Sequence, residues 1–117
     1  SAERHEARYQ RRKKKREEQL GTSFDRLYNY NYDNSKSIDE QFMRLADIII
    51  DNRPVIINFE GISSSIEINR AVAFLSGVVY GLNGEVHRLG NETFLFASHA
   101  AFDDGSLRCY VSDVGKE

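Results

Sequence analysis

The chain has 117 residues, 40% of them hydrophobic and 29% charged, with a formal net charge of −2. That length suits one domain with a modest core. A single cysteine, Cys109, excludes a disulfide framework and a multi-cysteine metal site, and it fits a reducing, cytoplasmic compartment.

The first residues, SAERHEARYQRRKKKREEQL, hold eight Lys/Arg against four Asp/Glu, hence +4, and the remainder holds eight against fourteen, hence −6. An acidic main body argues against a phosphate backbone as its partner, whereas the basic segment could touch nucleic acid or an anionic membrane surface. Residues 1–22 are therefore read as a charged linker or helical arm, solvated all round. The chain opens on Ser1 rather than methionine, which points to a cut-down chain with residues missing upstream. No apolar run approaches the roughly 18–20 residues needed to span a bilayer, and no secretory signal is read.

The domain proper is expected over 23–114, with 115–117 as a short tail. FDRLYNYNYD alternates Phe24, Arg26, Tyr28, Tyr30 and Tyr32 with mostly polar positions, the period of a strand. Ser37 with Glu40 is a capping-box pattern, and Ile38, Phe42, Leu45, Ala46 and Ile49 follow at helical spacing until Pro54. VIINF, 55–59, suits a central strand covered on both faces. Ser64 with Glu67 opens a second helix, which ends at Asn83–Gly84. EVHRL and ETFLFAS form a hairpin around Gly90–Asn91, and SLRCYVSD is expected to be a last strand with Cys109 buried in it. The order β-α-β-α-β-β, with a possible further β, predicts a two-layer α/β sandwich: two helices on a four- to five-stranded, mainly antiparallel sheet.

Gly77 and Gly81 lie inside the second helix, where each costs about 1 kcal/mol against alanine. At 100° per residue, Ile68, Val72, Leu75, Val79 and Leu82 make an aliphatic stripe for the sheet. Ile66, Arg70, Ala73, Gly77 and Gly81 cluster on the opposite side, flanked by Phe74 and Tyr80. Three small residues at four-residue spacing let another helix approach closely. The first helix of the same chain is one candidate occupant. A second copy, with the stripe meeting itself across a two-fold axis, suits its position opposite the sheet better. In the hairpin, Thr93, Leu95 and Ala97 face one way and Phe94, Phe96 and Ser98 the other, so neither sheet face is read as fully solvated. The second face needs cover from the C-terminal residues, another subunit or a partner.

Nucleotide loops, a nucleophile elbow and metal-ligand spacing are all missing from the sequence, and the three histidines are scattered. Ser63, Ser64 and Ser65 are explained by capping, and Asp103–Asp104–Gly105 by turn chemistry. No enzyme activity, cofactor or metal is expected.

The stretch RPVIINFEGISSSIEINRAVAFLSGVVYGLNGEVHRLGNETFLFAS closely resembles the core of SepF, a family of bacterial and archaeal cell-division proteins. Residues 74–96, FLSGVVYGLNGEVHRLGNETFLF, are its most specific part. The resemblance implies a homodimer able to assemble further, acting as a scaffold at the inner face of the cell membrane at the division site. Such proteins tether the division GTPase FtsZ to the membrane through an N-terminal amphipathic helix, which this chain lacks, and their core binds the FtsZ C-terminal tail. It further implies that Gly77 supports self-association, in agreement with the wheel, which sets Ile66, Arg70, Ala73, Tyr80 and Gly81 around it. Arg88 and Phe94, with Phe96 beside them, are implied to grip the tail. The tyrosine- and asparagine-rich first strand and the segment after Ala100 depart from the family pattern. The alternative reading is a small nucleic-acid-binding domain using the basic arm.

Overall fold

Helical and period-2 spacing alternate along residues 28–97, and each change of period is a change of element. The computed structural model describes residues 2–18 and 21–115. They form α1 (Ala2–Glu18), β1 (Tyr28–Asn31), α2 (Ile38–Ile50), β2 (Val55–Asn58), α3 (Ser65–Gly81), β3 (Glu85–Arg88), β4 (Thr93–Ala97) and α4 (Ser106–Gly115), with 3-10 turns at Phe24–Arg26 and His99–Phe102. The four strands make one sheet in the order β1-β2-β4-β3. β1 runs parallel to β2 across the α2 crossover, and the other two pairings are antiparallel.

Both helix starts follow from their caps. Ser37 Oγ accepts from Glu40 N, and Ser64 Oγ accepts from Glu67 N at 3.2 Å, each satisfying an orphan amide of the first turn. Both helices finish on an asparagine with left-handed backbone, Asn52 (φ 65°) and Asn83 (φ 53°). After Asn83 the chain must turn tightly against β4. A Cβ at Gly84 would collide with the Ala97 carbonyl oxygen, so only glycine fits there.

The apolar stripes of α2 and α3 meet one sheet face. Phe42, Leu45, Ala46, Ile49, Ala71, Leu75 and Val79 bury themselves against Val55, Ile57, Phe59 and Phe96. The predicted sheet-facing row of α3 lies as expected, with Leu75 and Val79 buried and Ile68, Val72 and Leu82 half-buried at its margins. β2 carries apolar side chains on both faces because both are covered: Val55 and Ile57 point to the helices, and Ile56 joins Leu95, Ala97, Ala101 and Leu107 on the other side.

Polar atoms organise the start of the sheet. Tyr30 donates to Gln41 Oε1 at 2.6 Å, and Gln41 Nε2 donates to the Asp33 carbonyl at 2.7 Å. Tyr32 donates to Glu67 Oε1 at 2.8 Å, and burial together with that carboxylate pushes its phenol well above the usual tyrosine range. Tyrosines therefore serve β1 because their rings line the core while their hydroxyls tie the strand to α2 and α3.

Three expectations are corrected. SLRCYVSD is a helix, α4, and not a fifth strand. Leu107, Tyr110 and Val111, spaced i, i+3 and i+4, turn its apolar side onto the second sheet face, and a window this short also fits a period of two. Cys109 is accordingly exposed on α4 and not buried in a strand. The first strand is also shorter than its alternation suggested: Phe24–Arg26 coil into a 3-10 turn because Ser23 N and Phe24 N donate to Asp104 Oδ2 and Ser106 Oγ, which holds them to the α4 side. Of the expected tail, 116 and 117 lie outside the described residues.

Candidate functional site

The outer side of α3 is open. Ile66, Arg70, Ala73, Gly77, Tyr80 and Gly81 are all exposed, Ile66 by 75% and Tyr80 by 86% of their surfaces. Within this chain, α2 meets α3 at its flank, where Phe74 stacks on Phe42 with centroids 5.3 Å apart. That contact leaves the glycines uncovered: a Cβ built at Gly77 or Gly81 would find nothing within 4 Å. The helix over Ile38–Ile50, α2, therefore does not occupy the small-residue groove. Inside this chain, neither glycine relieves any crowding.

Next to α3, the β3–β4 hairpin offers a second set of groups on the same side of the sheet. Val86 lies opposite Phe96 and Arg88 opposite Phe94, and both phenylalanines belong to the helix-side core. Arg88 is pinned by its own turn: Nε donates to Gly90 O at 3.0 Å and Nη2 to Asn91 O at 2.7 Å. Its guanidinium carbon stands 5.8 Å from the centroid of the Phe94 ring. Phe94 is half-buried and leans edge-on against Phe59 at 6.0 Å. A preorganised cation over a partly exposed aromatic can receive an anionic or apolar peptide group without much ordering cost.

Phe96 does not join this surface. It is 0% exposed, so it offers nothing for a partner to touch. Its contribution is to pack beside Phe94, 6.4 Å between ring centroids, and hold the floor in place. Period-2 alternation gave the side on which Phe96 points but not its depth. Val86, missed in the sequence, is partly exposed two residues from Arg88 on β3 and carries apolar surface on the same side. Its alternation with Glu85 and His87 was the available signal.

The opposite face has different chemistry. Arg108 on α4 makes a two-pronged ion pair with Glu85 on β3, at 2.7 and 2.5 Å, and His87 Nε2 lies 2.8 Å from the same carboxylate. The Arg108 hydrogen bond, opposed by burial and helped by His87, holds the Glu85 carboxyl down at about 2. Asp104 is partly buried, which alone would raise its pKa, yet hydrogen bonds from Ser23 and Ser106 bring it below the usual range. These groups fasten α4. The Glu85 and Arg108 charges offset one another, and Asp104 is held by Ser23 and Ser106. Among the described residues, no group of three His, Cys, Asp or Glu is placed to hold a metal ion.

The segment that carries this hairpin has relatives at the level of sequence. Residues 36–101 match the family described as "Cell division protein SepF", a span from just before the Ser37 cap, past β4 and into the 3-10 turn His99–Phe102. The chain belongs to the SepF family. Proteins named "Cell division protein SepF" align with it from Lacticaseibacillus casei (strain BL23), 39% identical over 67 residues, and from Listeria monocytogenes serotype 4a (strain HCC23), 40% over 63 residues. Another, from Lactobacillus helveticus (strain DPC 4571), is 36% identical over 63 residues. These alignments take in 57%, 54% and 54% of this chain and 44%, 41% and 43% of the respective relatives, so the chain spans less than half the length of the relatives it matches. The matched region ends before α4, so the latched helix on the second sheet face lies beyond the SepF-like span. A role in cell division follows from the family. No helix among the described residues is long and apolar enough to cross a membrane.

Proposed function

We propose that this chain is the globular part of a non-enzymatic division scaffold: a homodimeric adaptor that binds the C-terminal tail of FtsZ and links division filaments to the cytoplasmic face of the membrane. The observation that carries this reading is the uncovered helix-side surface. An open small-residue groove on α3 stands beside a hairpin presenting Val86, a pinned Arg88 and a half-buried Phe94.

In this reading the α3 groove receives α3 of a second copy. Ile66, Ala73 and Tyr80 supply the apolar contact, and the glycines set the close approach. Arg88 meets a carboxylate of the tail while Phe94 and Val86 receive its apolar anchors, the arrangement of a small hot spot. Phe96 supports Phe94 from below. Two such sites on a dimer would add avidity toward a filament that displays many tails.

Calorimetric titration of the chain with the FtsZ tail peptide from the same organism tests the proposal. Saturable binding near one peptide per chain is expected. A folded chain that takes up no heat of binding would remove FtsZ as its partner and leave only the family fold.

A further inference from the structure

An antiparallel strand bonds its residues alternately to one neighbour and to the other, so the bonding phase of β3 decides what its outer edge offers. Leu89 N donates to Thr93 O at 2.8 Å, and in the same register His87–Leu95 and Glu85–Ala97 are the bonded pairs. The far side of β4 agrees. Phe59 N donates to Glu92 O at 2.8 Å, which turns the main chain of Phe94 and Phe96 toward β2 and leaves that of Thr93, Leu95 and Ala97 for β3. The N–H and C=O groups of Val86 and Arg88 therefore point away from β4. β3 ends the order β1-β2-β4-β3, so among the described residues these groups meet no neighbouring strand.

The edge is short and bounded. At one end Gly84 N donates to Val79 O, and at the other Gly90 O accepts from Arg88 Nε. Between them β3 carries neither proline nor bulge, two devices that close a sheet edge to a further strand. The Arg88 side chain is tied back to its own turn, and Val86 and Arg88 are both exposed. The opposite edge differs. On β1, Tyr28 N and Tyr32 N donate inward to Pro54 O and Asn58 O, which leaves Asn29 and Asn31 facing out. Asparagine is depleted in strands, and β2 separates that edge from the strand that carries Phe94.

We propose that the FtsZ tail docks on the β3 edge as a fifth strand; this rests on the FtsZ reading above and names how the tail is held. Two tail residues, i and i+2, exchange main-chain hydrogen bonds with Arg88 and Val86 and turn their side chains to the helix side. There an acidic residue meets the Arg88 guanidinium, and an apolar one meets Val86 and Phe94. The main chain supplies affinity, and this i, i+2 pair supplies selectivity. The edge is continuous with the hairpin surface, and its cation gives the charge that an acidic tail residue needs. A second copy pairing edge to edge is the competing occupant.

The test follows amide exchange of the isotopically labelled full chain by NMR, with and without the FtsZ tail peptide of the same organism. The Val86 and Arg88 amides are expected to slow about tenfold or more at saturating peptide, while His87, already bonded to β4, changes little. Tail peptides methylated at one backbone nitrogen each are expected to lose about tenfold in affinity at alternate positions only. Binding that leaves both edge amides exchanging as before, or methyl losses without a period of two, overturns the strand and leaves the FtsZ reading standing. No binding by the folded chain sinks the FtsZ reading and the strand together. Slow exchange at Val86 and Arg88 without peptide, growing with protein concentration, overturns the proposal in favour of a second copy.

Discussion

The two faces of the sheet are covered by different means. On one, α2 and α3 lay down a continuous core in which Leu45, Ile49, Leu75, Val55, Ile57, Phe59 and Phe96 are at most 1% exposed. On the other, the ten-residue α4 rests on Leu107, Tyr110 and Val111 and is latched at its rim by the Arg108–Glu85 pair. A helix of that length is marginal by itself, so packing and latch hold it. The thick layer can present an open outer surface on α3 and the hairpin without endangering the fold. The thin layer commits Asp104, Ser106, Arg108 and Glu85 to staying closed. The proposed recognition surface lies on the side with the larger core, and the other side is a cover.

The largest effect should come from breaking the thick layer. Leu75→Ala is expected to lower stability by about 3–5 kcal/mol, read from the denaturant midpoint, because Leu75 is fully buried in this core and its removal leaves a cavity. Leu107→Ala, the equivalent change beneath α4, should cost less, about 2–3 kcal/mol. Hydrogen exchange should then accelerate in α4 before it does in α2 or α3. Equal losses at both positions would erase the distinction between the layers.

Acid separates the layers next. Glu85 is held at about 2 against an ordinary 4.5, so its folded pKa is depressed. The stability it lends is present above about pH 4.5 and is lost as pH falls from there through about 2. Loosening confined to α4 over that window is expected by NMR, and Glu85→Gln should reduce that pH dependence, leaving the part that Asp104 contributes. The smallest effect on stability belongs to Gly77→Lys. Its side chain enters open space, and helix propensity changes by at most about 1 kcal/mol in its favour. The mass by light scattering should nevertheless fall toward one chain. An unchanged mass would detach self-association from the α3 groove.

How far the sequence revealed these layers depended on local signals. Ser37, Ser64, Asn52 and Asn83 fixed the ends of α2 and α3 because caps are local chemistry. The small-residue stripe on α3 was legible for the same reason: a wheel needs only spacing. α4 was not, since Leu107, Cys109 and Val111 also alternate, and only the apolar sheet face beneath decides between the two periods. The depth of Phe96 was equally out of reach, because it depends on which strand lies in the middle of the sheet. Of the tail-binding residues inferred from family likeness, Arg88 and Phe94 stay at the surface and Phe96 does not.

The most direct measurement is an NMR titration of the isotopically labelled chain with the FtsZ tail peptide, following each amide. Shifts should concentrate at Val86, Arg88 and Phe94 and leave Leu107–Val111 unchanged, and Phe94→Ala should weaken binding by about 1–3 kcal/mol. Shifts centred on α4, or equal affinity of the variant and the parent chain, would contradict the placement of recognition on the helix-bearing side.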